Sequence, residues 1–210
     1  MKEYDIYLFD FDGTLFDSLE SLYPTFRRAF DPIGIQVTDE EIEGFTHQSL
    51  FDTMKEKGVR EDQYQEFIQN INDALDDEEL MKLIKPFPEV LETLVVLRKR
   101  GKRLAIVSNN SSAHIAAVLR VLGIPNVFDT IVGSDMVKRA KPYPDMLFVA
   151  FDRMGVSDAS RACYVGDSLQ DGETAVAGGI GSIIVDRGHG YTKVPGDKAK
   201  LLSDILDYPS

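Results

Sequence analysis

Apolar positions along this 210-residue chain change their period twice. Ile6–Phe9 is a short apolar and aromatic run, the pattern of a strand buried on both faces. From Leu19 onward the period becomes helical, with Leu22, Tyr23, Phe26, Phe30 and Ile33 on one stripe. Pro24 fits that helix only in its first turn or as a kink. Further helical patterns cover Asp39–Phe45 behind a Thr38 cap, 50–57 closed by Gly58, 62–71 and 77–84. No strand pattern interrupts them, so residues 17–85 are expected to form a small helical bundle inserted after the first strand. The acidic run 76–79 falls at a helix start, where the dipole favours negative charge, and needs no catalytic role.

Pro86 and Pro88 open a second texture, in which helices and strands alternate. Helices are predicted over 89–100, 112–122, Asp145–Met154 and 171–177, and strands over 103–107, 130–132, 162–165 and Gly181–Val185. Such alternation specifies right-handed crossovers and an α/β fold, a parallel sheet with helices on both faces. Residues 1–16 and 86–210 are thus expected to form one core domain, with 17–85 as its insertion.

Ligands in such sheets bind at the carboxyl ends of the strands, so the residues immediately after each strand are the candidates for chemistry. After the first stand Asp10 and Asp12, two residues apart, then Gly13, which frees the chain to turn. After 103–107 comes Ser108-Asn109-Asn110-Ser111, hydroxyls and amides leading into a helix N-terminus, a natural phosphate cradle. Ser111 or Ser112 caps that helix, leaving Ser108 and Asn109 to meet phosphate. After 162–165 stand Gly166 and Asp167, and then Asp171, which reads equally as a site acid or as part of a helix cap. Acids gathered at one sheet edge repel each other and lose hydration, a cost that a bound cation relieves, and Mg²⁺ suits hard carboxylate oxygens beside a phosphate. One carboxylate beside such an ion can attack an electrophile while another carries a proton. Lys141, in the rigid segment Lys141-Pro142-Tyr143-Pro144, could then neutralise phosphate and nucleophile together.

Composition narrows the partners. At 43% hydrophobic and 28% charged the chain is an ordinary globular one, and its net charge of -12 argues against a nucleic-acid partner. The single cysteine, Cys163, allows no internal disulfide and lies in an apolar run, where a buried inert thiol is expected. No apolar stretch reaches the roughly 18 to 20 residues that span a bilayer, and no secretory pattern opens the sequence, so a cytoplasmic protein without membrane partners is expected. Gly178-Gly179-Ile180-Gly181 lies between helix and strand, the wrong order for a dinucleotide loop, and reads as a turn.

These four segments, in this order, resemble the haloacid dehalogenase-like hydrolase superfamily, phosphatase branch, over essentially the whole chain. Asp10-Phe11-Asp12-Gly13-Thr14 is similar to its first motif, Ser108 to the second, Lys141 to the third, and Gly166-Asp167 with Asp171 to the fourth. The resemblance implies a Rossmann-like core with a helical cap inserted after the first strand. It implies that Asp10 is nucleophile and Mg²⁺ ligand, that Asp12 is general acid/base and offers its backbone carbonyl to the metal, and that Asp167 ligates directly. Asp171 would support the ion through bound water, Ser108, Asn109 and Lys141 would hold the phosphate, and Thr14 would lie in the substrate-binding loop. Within the superfamily, the first and fourth segments look most like phosphoglycolate phosphatase and related enzymes on small phosphorylated metabolites. Asp12 argues against carbon–halogen cleavage, since true dehalogenases lack it. Relatives of the β-phosphoglucomutase type carry a cap arginine where this chain has His47, which favours phosphatase over phosphomutase. His47 itself reads either as a plain surface residue or as a substrate-choosing contact. A catalytically silent phosphate-binding regulator is the alternative from another class, and the competent residue at every catalytic position speaks against it.

Overall fold

The computed structural model describes residues 4–46, 49–187 and 193–207. β1 (Ile6–Phe9) is buried along its whole length, as its unbroken apolar run requires. Past a tight turn and β2 (Phe16–Asp17) the chain leaves the sheet, and it divides into two compact units, Met1–Asp17 with Pro86–Ser210, and Ser18–Lys85.

The second unit is helical: α1 (Leu19–Phe30), α2 (Asp39–Phe45), α3 (Leu50–Glu56), α4 (Tyr64–Leu75) and α5 (Glu78–Met81). Its interior is aromatic, with Phe30 against Phe67 at 4.7 Å and Phe26 against Phe45 at 5.3 Å between ring centroids. Such tilted pairs add to area burial alone. Thr38 and Glu41 close a reciprocal capping box at the start of α2. Pro24 stands inside α1, past its first turn, so the carbonyl of Glu20 lacks its helical N–H partner. Two expectations shift. The helix predicted over 62–71 begins with a 3₁₀ turn at Glu61–Gln63 and runs on to Leu75. The helix predicted over 77–84 stops at Met81. Lys85 precedes Pro86, whose ring disfavours the helical conformation of the residue before it, and the chain returns extended as β3 (Lys85–Pro86), pairing with β2.

The first unit holds α6 (Val90–Lys99), β4 (Arg103–Ser108), α7 (Ser112–Val121), β5 (Thr130–Gly133), α8 (Asp145–Met154), β6 (Ala162–Gly166), α9 (Leu169–Gly178), β7 (Gly181–Val185) and β8 (Asp197–Ala199). Its strands form one parallel six-stranded sheet in the order β5-β4-β1-β6-β7-β8. The chain builds outward from β1 to β4 and β5, then crosses back to β6 on the other side. Right-handed crossovers therefore place α6 and α7 on one face and α8 and α9 on the other. Ile6, Leu8, Val107 and Tyr164 pack with Met146, Leu147, Ala150 and Ala175 in one core cluster, while the alternating Tyr7 and Phe9 are buried on the opposite face. β8, whose only buried residue is Ala199, was not foreseen, because an edge strand of this composition has no apolar run to announce it.

The reversal at β1 matters most for position. β1 lies between β4 and β6, with Phe9 level with Ile106 on one side and Val165 on the other. Residues just beyond these three strand ends share one crevice.

Far from that crevice, Asp129 ties the opposite end of the sheet. One of its carboxylate oxygens accepts from Leu104 N at 2.9 Å, Arg98 Nη1 at 3.0 Å and Arg103 Nε at 3.1 Å. Although partial burial opposes its ionisation, the Leu104 amide and the two guanidiniums hold its carboxyl below the usual range. Asp129→Ala should cost about 1–2 kcal/mol at neutral pH in chemical denaturation, since it orphans the amide while the exposed guanidiniums lose little. A lowered folded pKa gives stability that is present above the unfolded value and lost on acidification. The wild-type advantage should therefore shrink as pH falls below about 4.

Candidate active site

Asp10 follows β1 directly, and its amide donates to the Val165 carbonyl of β6 at 2.9 Å, which fixes it at the sheet edge. Its neighbour Phe11 is buried and stacks on Phe16 at 4.4 Å, turning the chain back on itself. Gly13 sits at the turn with φ of 75°, and a Cβ there would lie 2.4 Å from Asp167 Oδ2. No other residue type fits both demands. The turn delivers Thr14, whose hydroxyl donates to Asp167 Oδ1 at 2.9 Å. Thr14, which the resemblance places in the substrate-binding loop, is fully buried and faces Asp167, because the tight turn carries its side chain inward.

From the neighbouring strand ends come the other acids. Asp171 lies in the first turn of α9 and is fully buried. Its Oδ2 accepts from Asp167 N at 3.1 Å, Ser168 N at 2.9 Å and Ser168 Oγ at 2.7 Å, and its Oδ1 accepts from Lys141 Nζ at 2.7 Å. The helix cap and the site acid, alternatives in the sequence, are thus one residue with an oxygen for each. Ser168 rather than Asp171 starts the helix, which moves its beginning ahead of the predicted 171. Gly166 makes room, since a Cβ on it would come within 2.3 Å of the Asp171 side chain.

Lys141 reaches in from the loop before α8, through a cis peptide to Pro142, with its ammonium 2.9 Å from Asp10 Oδ2 and 5.8 Å from the Tyr164 ring centroid. Only 4% of its side chain is exposed. Its own amide donates to Asn109 Oδ1 at 2.9 Å, and Asn109 Nδ2 donates to Gln170 Oε1 at 3.3 Å. Asn109 therefore braces the lysine loop against α9. Ser108 ends β4, buried, with its Oγ accepting from Asn110 N at 3.3 Å, and Ser111 proves to be the cap of α7. Asn110, which the sequence did not single out, donates through Nδ2 to Asp12 Oδ2 at 3.4 Å. Only its place in the Ser-Asn-Asn-Ser run could have signalled it. His47 lies outside the described residues.

Asp10, Asp167 and Asp171 each offer an oxygen within 4.8 Å of the others, all three buried. Asp12, half-buried, stands outside that cluster with a different partner. Among the described residues a single ammonium serves the group. Burial would lower the Lys141 pKa, yet Asp10 and Asp171 outweigh it and push it well above the ordinary value. The balance of negative charge falls on the remaining acids. Burial, aided by Asp171 and Asp167, raises Asp10 to about 8 in spite of Lys141. Burial and then Asp171 raise Asp167 to about 6 against the Thr14 hydrogen bond. The raised values mark negative charge that the one ammonium leaves uncompensated, and hard carboxylate oxygens in that state fit a divalent cation.

The sequence matches the family profile "Haloacid dehalogenase-like hydrolase" over residues 7–185. It is 27% identical over 206 residues to the phosphoglycolate phosphatase of Escherichia coli (strain K12), covering 87% of this chain and 81% of that one. It is 33% identical over 165 residues to the pyrophosphatase PpaX of Bacillus pumilus, covering 78% and 74%. Among solved structures, a haloacid dehalogenase-like hydrolase from Bacteroides fragilis superposes with a TM-score of 0.87 at 31% identity, over 97% of this chain and all of that one. With Asp10, Asp167 and Asp171 gathered beyond the adjacent ends of β1 and β6 and Lys141 reaching them from the loop before α8, the chain belongs to the haloacid dehalogenase-like hydrolases and is a phosphatase of that family.

Proposed function

We propose that this phosphatase is a Mg²⁺-dependent phosphomonoester hydrolase of small phosphorylated metabolites, working through a phosphoryl group carried on Asp10. The observation that carries the reading is the ammonium of Lys141 held between Asp10 and Asp171 at 2.9 and 2.7 Å, with the Asp167 carboxylate in the same cluster. Asp10, Asp167 and the Asp12 backbone carbonyl would hold the ion, with Asp171 supporting it from behind. When bound, Mg²⁺ supplies positive charge against the oxygens of the transferring phosphate.

Asp10 attacks phosphorus through one carboxylate oxygen, forming an acyl phosphate as the bond to the leaving oxygen breaks. Asp12, free of the acid cluster, gives that oxygen its proton and leaves as carboxylate. Water then attacks the phosphoryl group, Asp12 takes back a proton, and inorganic phosphate departs with Asp10 restored. Lys141 offsets charge on Asp10 and on the phosphate through both steps. The family resemblance assigns Ser108 and Asn109 to the phosphate oxygens, while Thr14 holds Asp167. By its resemblance to the family's helical cap, the unit Ser18–Lys85 is assigned the choice of substrate. The named activities of the relatives, on phosphoglycolate and pyrophosphate, favour a compact anion over a polymeric one.

A panel of phosphorylated metabolites, including 2-phosphoglycolate, pyrophosphate, sugar phosphates and nucleoside monophosphates, tests the reading when assayed with Mg²⁺ and with chelator. Turnover confined to the Mg²⁺ arm is expected, and metal-independent turnover or none at all counts against it. Asp10→Asn should lose activity on every substrate, and a tenth of the wild-type rate remaining would remove Asp10 as nucleophile.

Asp12→Asn should fall about 10² to 10⁴-fold on alkyl phosphates, whose leaving groups need a proton, and much less on p-nitrophenyl phosphate. Equal losses on the two classes would take the proton transfer away from Asp12.

A further inference from the structure

Arg187, just past the end of β7, lies on the same side of the sheet as the acids and has no part in the chemistry above. Its side chain is only 10% exposed, and both terminal nitrogens of its fork are engaged. Nη1 donates to Glu89 Oε1 at 2.6 Å and Nη2 to the Thr14 carbonyl at 2.8 Å, while the guanidinium lies 3.7 Å over the Phe87 ring. Glu89 Oε1 accepts from Leu202 N as well, at 3.1 Å, which fixes the acid that orients the arginine. Thr14 is therefore held at both ends. Arg187 grips its carbonyl, and its hydroxyl grips Asp167.

The geometry points to Arg187 as a positioning residue for the metal site: it fixes the Gly13–Thr14 turn so that Thr14 keeps Asp167 aimed at the ion. This rests on the Mg²⁺-dependent reading above. Stability alone is a poor explanation for the arrangement. Arg187 Nε is buried with no hydrogen-bond partner among the described residues, a defect that folded proteins seldom keep, and a buried ion pair is weak evidence of stabilisation. What a planar fork supplies instead is geometry, since a lysine cannot reach Glu89 and the Thr14 carbonyl at once. Partners that orient a metal ligand typically change metal affinity about 10- to 100-fold when removed.

The test is calorimetric titration with Mg²⁺, without substrate, beside thermal unfolding of each variant. Arg187→Met should weaken Mg²⁺ binding about tenfold or more. Glu89→Gln, which leaves the contact from Arg187 to Thr14 in place, should stay within about threefold of wild type, even if it unfolds earlier. An Arg187→Met protein with a lowered Tm but wild-type Mg²⁺ affinity would make the arginine merely structural and overturn the inference. Should Arg187→Met fail to fold, Arg187→Lys carries the same test, with several-fold weaker binding expected and unchanged binding overturning it. Wild-type protein that binds no Mg²⁺ at all would overturn the underlying metal reading, a result distinguishable from equal binding by wild type and variant.

Discussion

One buried ammonium faces more carboxylate than it can neutralise, and much of the local architecture answers that imbalance. Lys141 touches Asp10 and Asp171 and leaves Asp167 in the same cluster without a cation of its own among the described residues. In an interior of low polarity such an excess is costly, and a protein tolerates it only where something else completes the charge. The acids stay in place because their immediate surroundings give them no alternative. Thr14 and the Asp167 and Ser168 amides hold their oxygens, and Gly13 and Gly166 clear the space that any side chain would fill.

The sheet explains why these groups can meet. Because the chain builds outward from β1 in one direction and then returns on the other side, three strand ends from distant parts of the sequence become neighbours. Asp10 is 131 residues from Lys141 by their numbering, yet the two side chains lie 2.9 Å apart. Asn109 and Gln170 then lock the loops after β4 and before α8 to the start of α9, so that the lysine approaches along one direction only. A preorganised cation of this kind acts on developing charge without reorganising first.

Part of this was legible in the sequence, because several of the site's residues come directly after an apolar run that reads as a buried strand. Asp10 after Ile6–Phe9 and Asp167 after 162–165 are of that kind. The features that stayed hidden depend on direction and distance. Thr14 could be assigned to the first loop but not to the inward side of it, since that is set by a turn angle at Gly13. Asp171 offered two readings because a capping residue and a site acid look alike until each oxygen has a partner. Arg187 carried no signal at all, as an arginine beyond a strand is ordinarily exposed and its partners Thr14 and Glu89 are far away in sequence. The short strand Asp197–Ala199 and the early stop of the helix at Met81 were hidden for the plainer reason that edge pairing and a nearby proline overrule local periodicity.

The central claim is that a divalent cation completes the charge of this acid cluster, in competition with the protons that Asp10 and Asp167, their pKa values raised, bind toward low pH. Without metal, raised folded pKa values mean that the stability these groups give is complete below the ordinary carboxylate value of about 4. It is lost as pH rises through about 6 for Asp167 and about 8 for Asp10. The most direct measurement is therefore the rise in Tm caused by millimolar Mg²⁺, relative to chelator, tracked from about pH 5 to about pH 8.5. The account predicts a small rise at about pH 5 that grows steadily toward about pH 8 as ionised carboxylates pass to the metal. A Mg²⁺ effect that is absent, or equal at the two ends of that range, would contradict it.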